Sequence, residues 1–93
     1  MMSQIPVDLG KMGKEGIDVE ILRVGIIAEL DAVNLYEQMA GMTKNERIKK
    51  VLLEIAREEK THVGEFQTLL LELDKEQIKE LEKGRKEVEE LKE

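Results

Sequence analysis

Residues 43–73, TKNERIKKVLLEIAREEKTHVGEFQTLLLEL, contain the pattern that decides the fold. One row of positions in this stretch advances in alternating steps of four and three, which is the spacing of one packed face of an α-helix. The row, which we call the second seam, consists of Ile48, Leu52, Ile55, Glu59, His62, Phe66, Leu69 and Leu73. Only Glu59 and His62 are polar in this row, so the stretch predicts a long helix whose packed face carries a carboxylate and an imidazole.

A similar row precedes it between residues 19 and 40 and alternates steps of three and four. This first seam consists of Val19, Leu22, Ile26, Glu29, Val33, Tyr36 and Ala40, and Glu29 is its only charged member. The two rows predict an all-α protein with two packed helices. The link between them, at Gly41–Thr43, is too short for anything but an antiparallel hairpin.

Local signals predict where these two helices begin and end. Asp18 is a suitable N-cap for the first helix, and Gly41 is a suitable stop. Thr43 and Glu46 stand three residues apart, which is the capping-box pattern for the start of the second helix.

The remainder of the chain falls into three parts. Residues 1–17 contain a proline and three glycines and are predicted to be a flexible lead-in. Asp74 is predicted to cap a third, charged helix that runs to about Leu91. Residues 18–91 therefore form the predicted domain, a helical hairpin followed by a C-terminal helix, and residues 92–93 form a tail.

The composition restricts the function. The chain has a net charge of −6 and no stripe of Lys and Arg with interleaved aromatic residues, so nucleic acid is not an expected partner. It has no cysteine, which excludes disulfides and thiolate metal sites. No apolar run approaches the ~18 residues of a membrane span, and the N-terminus lacks a signal-peptide pattern. We therefore expect a cytoplasmic protein without a membrane partner.

Polar groups in the apolar seams are the strongest functional signal. Burying an ionised carboxylate is costly unless it is paired or bound to a metal. Glu59 and His62 lie on one helix face with a rise of about 4.5 Å between them, so they can ligate one ion together. A di-iron site in a helical bundle uses two single glutamates and two Glu-x-x-His pairs from four helices. One hairpin supplies Glu29 and one such pair, which is half of the set, so we expect two copies to dimerise into a four-helix bundle.

Charge and ligand type narrow the choice of ion. In such a dimer the four glutamates carry a charge that two divalent ions balance. Carboxylates and imidazole without thiolate suit iron or manganese, and zinc less exclusively. Anionic oxygens favour Fe³⁺ over Fe²⁺, so iron oxidation fits the ligands. Counted from the middle of the hairpin turn, Glu29 and Glu59 differ by about four residues, which is ~6 Å along the helix axis. Whether Glu29 ligates the metal of its own chain or of the partner therefore stays open.

Two stretches resemble the encapsulated ferritins, which are ferritin-like proteins that act inside encapsulin nanocompartments. They are residues 26–36, IIAELDAVNLY, and residues 56–66, AREEKTHVGEF, and the resemblance extends over about residues 18–91. It implies a ferritin-like fold and a ferroxidase that oxidises Fe²⁺ to Fe³⁺ at a di-iron centre, with two iron ions per dimer. It also implies a ring-shaped homodecamer of five dimers that stores iron within an encapsulin shell. The chain would enter this shell by means of a targeting peptide or by fusion to the shell protein.

The resemblance also implies roles for individual residues. The residues that match the family's ferroxidase ligands at the dimer interface are Glu29, Glu59 and His62. Tyr36 matches an aromatic residue close to the centre, and Asp31 matches an acidic position where metal ions enter. The sequence departs from the family at two positions. It has Ala28 where the family can carry an acidic residue, and Leu35 where some members have Trp. No targeting tail is recognisable at the C-terminus, so we expect a shortened chain or a domain of a shell fusion.

Two other functions stay open on the sequence alone. One is a helical adaptor that only mediates assembly, with Glu59 and His62 as a buried polar pair. The other is a zinc-stabilised helical dimer that binds metal without catalysing oxidation. In either case Tyr36 is a core residue and Asp31 is a solvated surface charge.

Overall fold

The computed structural model describes residues 14–91, and this range forms three α-helices and no strand. Helix α1 spans Lys14–Met42, α2 spans Glu46–Leu73 and α3 spans Lys75–Glu89. The predicted all-α class is therefore confirmed. None of the helices in this range is long and apolar enough to cross a lipid bilayer.

Helices α1 and α2 form an antiparallel hairpin, as the short link between them predicts. From the end of α1 towards its start, the residues that it contacts lie progressively further along the chain, from the middle of α2 to the residue that follows it. The pairs are Glu37 with Lys60 at 3.0 Å, Glu29 with His62 at 3.4 Å, and Arg23 with Asp74 at 2.9 Å. The hairpin buries only a thin line of apolar side chains, formed by Val33, Ala40, Ala56 and Leu70.

The start of α1 differs from the prediction. The helix begins at Lys14, so Asp18 lies inside it and is not its N-cap, and residues 14–17 are helical rather than part of a lead-in. A lone glycine such as Gly16 costs a helix only about 1 kcal/mol relative to alanine, which a long packed helix tolerates. Residues 1–13 of the predicted lead-in, and the predicted tail at 92–93, lie outside the described residues.

The turn between α1 and α2 also differs in detail from the prediction. Gly41 is helical, and α1 continues to Met42. The N-cap of α2 is Asn45 rather than Thr43, because the Asn45 side chain accepts hydrogen bonds from the backbone N–H groups of Arg47 and Ile48 at 3.0 and 3.1 Å. Thr43 instead stabilises the turn, since its Oγ1 accepts the backbone N–H of Asn45 at 3.1 Å.

Asp74 joins α2 to α3, as the capping pattern predicts. Its backbone N–H donates to the carbonyl of Leu70, which closes α2, and its side chain accepts the backbone N–H of Gln77 at 3.1 Å, which opens α3. The carboxylate also pairs with the guanidinium of Arg23. This pair connects the start of α3 to α1.

Helix α3 is exposed over most of its surface. Arg85 forms ion pairs with Glu82 and Glu89, and the guanidinium lowers the pKa of the Glu82 carboxyl below its ordinary value. The apolar side chains of α3, Ile78, Leu81 and Val88, are 43–67% exposed. Many apolar side chains of the hairpin are similarly exposed, among them Ile21, Leu30, Ile48, Val51, Leu69 and Leu73. A single chain therefore leaves much of its apolar surface uncovered.

Replacing Asn45 by alanine should destabilise the protein by about 1 kcal/mol, because two N–H groups in the first turn of α2 lose their acceptor. Urea denaturation of metal-free protein at fixed protein concentration measures the change. Thr43→Ala is the matched variant. It should lower the free energy of unfolding by less, because it removes one hydrogen bond that lies outside the helix. A larger loss for Thr43→Ala would contradict the assignment of Asn45 as the N-cap.

Candidate metal centre

Three side chains from the two seams converge in the middle of the hairpin. Within residues 14–91, Glu29, Glu59 and His62 form the single group of possible ligands whose donor atoms all lie within 4.8 Å of one another. His62 Nδ1 lies 3.4 Å from Glu29 Oε2 and 3.5 Å from Glu59 Oε2. One ring nitrogen thus lies close to two carboxylates, one from each helix.

Helix geometry explains why these residues share one level. Glu59 and His62 are three residues apart on α2 and therefore lie on one face. Side chains of a helix lean towards its N-terminus, so Glu29 leans away from the hairpin turn while Glu59 and His62 lean towards it. Glu29 and Glu59 each lie fifteen residues from the middle of the turn, residue 44. The predicted axial offset of ~6 Å is therefore wrong, because it assumed a turn at residues 41–43. The lean instead brings His62, three residues further along α2, towards the level of Glu29. One chain therefore brings all three side chains together without a partner.

The cluster is sheltered on one side and open on another. The side chains of Glu29 and Glu59 are 20% and 19% exposed, whereas that of His62 is 45% exposed. His62 is therefore the member that faces outwards. Its exposed edge belongs to the surface of the hairpin that also carries the exposed residues of the second seam.

The electrostatics of the cluster favour a bound cation. Glu29 and Glu59 place two carboxylates of like charge within 4.8 Å of each other in a partly desolvated position. Repulsion between like charges increases when water is removed. A divalent ion at this point would neutralise both carboxylates and accept the imidazole nitrogen, so the donor set suits an ion that prefers oxygen and nitrogen ligands.

The other predicted site residues lie outside the cluster. Tyr36 follows Glu29 by seven residues on the same face, about 10 Å along the axis of α1, and is half-buried. Asp31 is also half-buried, but side chains two residues apart do not face each other on a helix, so it points away from Glu29. Glu58 and Glu65 are exposed neighbours on α2 and take no part. The roles of Tyr36 and Asp31 remain predictions.

Two contacts near the cluster were not predicted from the sequence. Lys60 pairs with Glu37 across the hairpin at 3.0 Å, on the turn side of the cluster. On the other side the ring of Phe66 packs against the backbone of α1 at Gly25. Neither contact follows from periodicity, because each depends on the lateral distance between the helices.

Comparison with known proteins places this chain in a family. The rubrerythrin family model matches residues 20–93, which include all three clustered side chains. The crystal structure of the encapsulated ferritin domain from Pyrococcus furiosus matches with a TM-score of 0.83 and 56% identity, over 94% of this chain and 87% of that one.

Two curated relatives are associated with encapsulins by name. The ferritin-like–encapsulin shell fusion protein of Pyrococcus furiosus is 63% identical over 73 residues, which is 78% of this chain and 21% of the relative. The encapsulin nanocompartment cargo protein EncC of Myxococcus xanthus is 43% identical over 56 residues, which is 60% of this chain and 43% of the relative. The chain spans about a fifth of the first relative and less than half of the second. With the family match over most of its length, the chain belongs to the rubrerythrin family and, within it, to the encapsulated ferritins.

Proposed function

We propose that the chain is a ferroxidase that oxidises Fe²⁺ to Fe³⁺ at a di-iron centre shared by two copies of itself. The observation that carries this proposal is the convergence of Glu29, Glu59 and His62, with donor atoms within 4.8 Å of one another, in the packed face of the hairpin. A surface cluster of acidic groups would not combine partial burial, an imidazole and a position between two helices.

The proposal requires two copies because one chain supplies half of a di-iron ligand set. Bundle-type di-iron sites use two single glutamates and two Glu-x-x-His pairs. A twofold axis beside the cluster would bring the two halves together, and both copies would then contribute the same surface patch to one interface. The four carboxylates of the dimer would balance the charge of two divalent ions.

The exposed apolar residues of α2 support a second copy at this position. Ile48 lies fourteen residues before His62, and Leu69 lies seven residues after it. Seven residues make about two turns of an α-helix, so both residues lie on the same face as His62. They are 50% and 49% exposed. Leu69 also lines an apolar groove with Ile21 of α1, so the uncovered surface extends over both helices. A partner that covers this surface would also cover the exposed edge of His62.

The ligand chemistry supports iron as the substrate ion. Carboxylate oxygens and imidazole, in a chain without cysteine, suit iron and manganese. The anionic oxygens of Glu29 and Glu59 stabilise the higher charge of Fe³⁺ and thereby favour loss of an electron, with dioxygen as the acceptor. These residues bind and orient the ions, and the apolar surroundings of the second seam would restrict access of water once a partner is in place.

The names of the related proteins suggest where in the cell this chain acts. Related proteins carry names that describe a fusion with an encapsulin shell and a cargo of an encapsulin nanocompartment. We infer that this chain acts inside such a compartment in the cytoplasm, as a decameric ring of five dimers, and that its ferric product is stored within the shell. The shell protein is then its partner, by targeting or by fusion.

Aerobic addition of Fe²⁺ should give rapid oxidation and an amber ferric product with the wild-type chain. The double variant Glu59→Ala/His62→Ala should oxidise Fe²⁺ no faster than buffer alone, because two of the three donor groups are gone. Absorbance of the ferric product, followed over time, measures both rates. Glu65→Ala is the matched control, since Glu65 is an exposed carboxylate of the same helix, and it should retain the wild-type rate. A double variant with the wild-type rate would rule out this site, and Zn²⁺ binding without oxidation would favour the zinc-stabilised dimer.

Metal binding should also drive association of the chains. A ligand that binds only the assembled form stabilises that form, and the stabilisation increases with the logarithm of the ligand concentration. Sedimentation velocity should show larger species when anaerobic Fe²⁺ is added to metal-free protein, and Glu29→Gln should weaken this response. An unchanged size distribution with and without Fe²⁺ would contradict the shared site.

Removing one carboxylate should not destabilise the metal-free protein. Glu29→Gln relieves the repulsion between Glu29 and Glu59, so its melting temperature without metal should equal or exceed that of the wild type. The same variant should lose most of the increase in melting temperature that Co²⁺ gives the wild type. Glu58→Gln, at an exposed position of α2, should keep that increase. A metal-free Glu29→Gln protein that melts clearly lower would show that Glu29 is a structural residue.

A further inference from the structure

The aromatic ring of Phe66 lies unusually close to the backbone of α1 at Gly25. A Cβ atom built on Gly25 would lie 3.2 Å from Cδ2 and Cε2 of Phe66 and 3.3 Å from its Cζ. Such distances are shorter than ordinary van der Waals contacts, so any larger residue at this position would force the ring or the helix to move. The two helices can approach as they do here because residue 25 has no side chain.

Backbone conformation does not explain the glycine. Gly25 lies in the middle of α1, and no glycine among the described residues has a positive φ. Glycine inside a helix is unfavourable relative to alanine, because it has more conformational freedom to lose on folding. At Gly41, Gly64 and Gly84 a Cβ would meet nothing within 4 Å, so among these four glycines only Gly25 is closely packed. The reason for glycine here is therefore the space that it leaves for Phe66.

This contact is one helical turn from the candidate metal centre on both helices. Gly25 precedes Glu29 by four residues, and Phe66 follows His62 by four, so each pair is adjacent on its helix. The Gly25–Phe66 contact and the Glu29–His62 contact thus lie side by side across the same interface. The separation of the helices at the first contact largely determines their separation at the second.

We infer that Phe66, seated on Gly25, is a positioning residue that sets the distance between Glu29 and the Glu59/His62 pair for metal binding. The inference rests on the proposed function, since it assumes that these side chains are ligands. A planar ring with two side-chain torsions is a stiff spacer, and metal ligands must be held to within about 0.5 Å of their productive geometry. The backbone at Gly25 and the ring at Phe66 together supply that constraint without touching the ion.

The test is a titration of the metal-free chain with Co²⁺, which reports ligand geometry through its visible absorption. Gly25→Ala should bind Co²⁺ about 10-fold more weakly than the wild type and show an altered spectrum, as expected when support of a metal ligand is disturbed. Gly64→Ala is the matched control, because it makes the same substitution near His62 in open space. It should bind Co²⁺ with wild-type affinity and an unchanged spectrum.

A second substitution separates positioning from general destabilisation. Phe66→Leu removes part of the spacer and should also weaken Co²⁺ binding. Combined with Gly25→Ala, it makes room for the new methyl group, so the double variant should bind Co²⁺ more tightly than the product of the two single effects predicts. Should Gly25→Ala fail to fold, a double variant that folds and binds Co²⁺ at least as tightly as Phe66→Leu would support the inference. A double variant that binds Co²⁺ clearly more weakly than Phe66→Leu would overturn it.

Two outcomes would overturn the inference while leaving the proposed function intact. One is a Gly25→Ala variant that binds Co²⁺ with the affinity and spectrum of Gly64→Ala. The other is strict additivity of the Gly25→Ala and Phe66→Leu effects. If Glu59→Ala/His62→Ala binds Co²⁺ as tightly as the wild type, the metal centre itself is absent and both proposals fail.

Discussion

The repulsion between two carboxylates held in the packed face of a helical hairpin is the constraint on which the rest of the structure depends. Glu29 and Glu59 approach within 4.8 Å of each other, and Nδ1 of His62 lies within 3.5 Å of both. Such a cluster lowers the stability of a metal-free chain, since each carboxylate loses water and faces a like charge. A divalent cation would reverse this effect. The arrangement is therefore better suited to binding a cation than to stabilising a hydrophobic core.

The thin core of the hairpin is consistent with this view. The buried apolar residues of the described chain are few and mostly small, and large apolar side chains remain exposed on both helices of the hairpin. The outward-facing member of the cluster, His62, lies on one of these uncovered faces. A second chain would complete the ligand set and cover this apolar surface in the same step, so assembly and metal binding would be coupled. Packing at Gly25 and Phe66 then fixes how closely the ligands of one chain approach each other.

Periodicity predicted much of this structure, and its limits have physical causes. The unbroken steps of three and four placed Glu29, Glu59 and His62 in packed positions, because the helical repeat determines the face on which a residue lies. The same reasoning did not identify Asn45 as the N-cap or Lys14 as the start of α1, since several residues near a helix end can serve and packing selects among them. It left open whether Glu29 contacts the Glu59/His62 pair of its own chain, because the levels of these residues depend on a turn at residues 43–45 rather than 41–43. The Gly25–Phe66 contact depends on the lateral spacing of the helices, which a pattern along one chain does not contain.

The central claim is that two cations bind where two chains meet, between the clustered side chains of each. Anomalous X-ray scattering at the iron absorption edge, from crystals exposed to Fe²⁺, tests it most directly. The account predicts iron peaks in contact with Glu29, Glu59 and His62, beside a twofold axis and next to the same residues of a second copy. Iron peaks at other positions would contradict this claim, and so would a cluster that faces solvent far from any second chain.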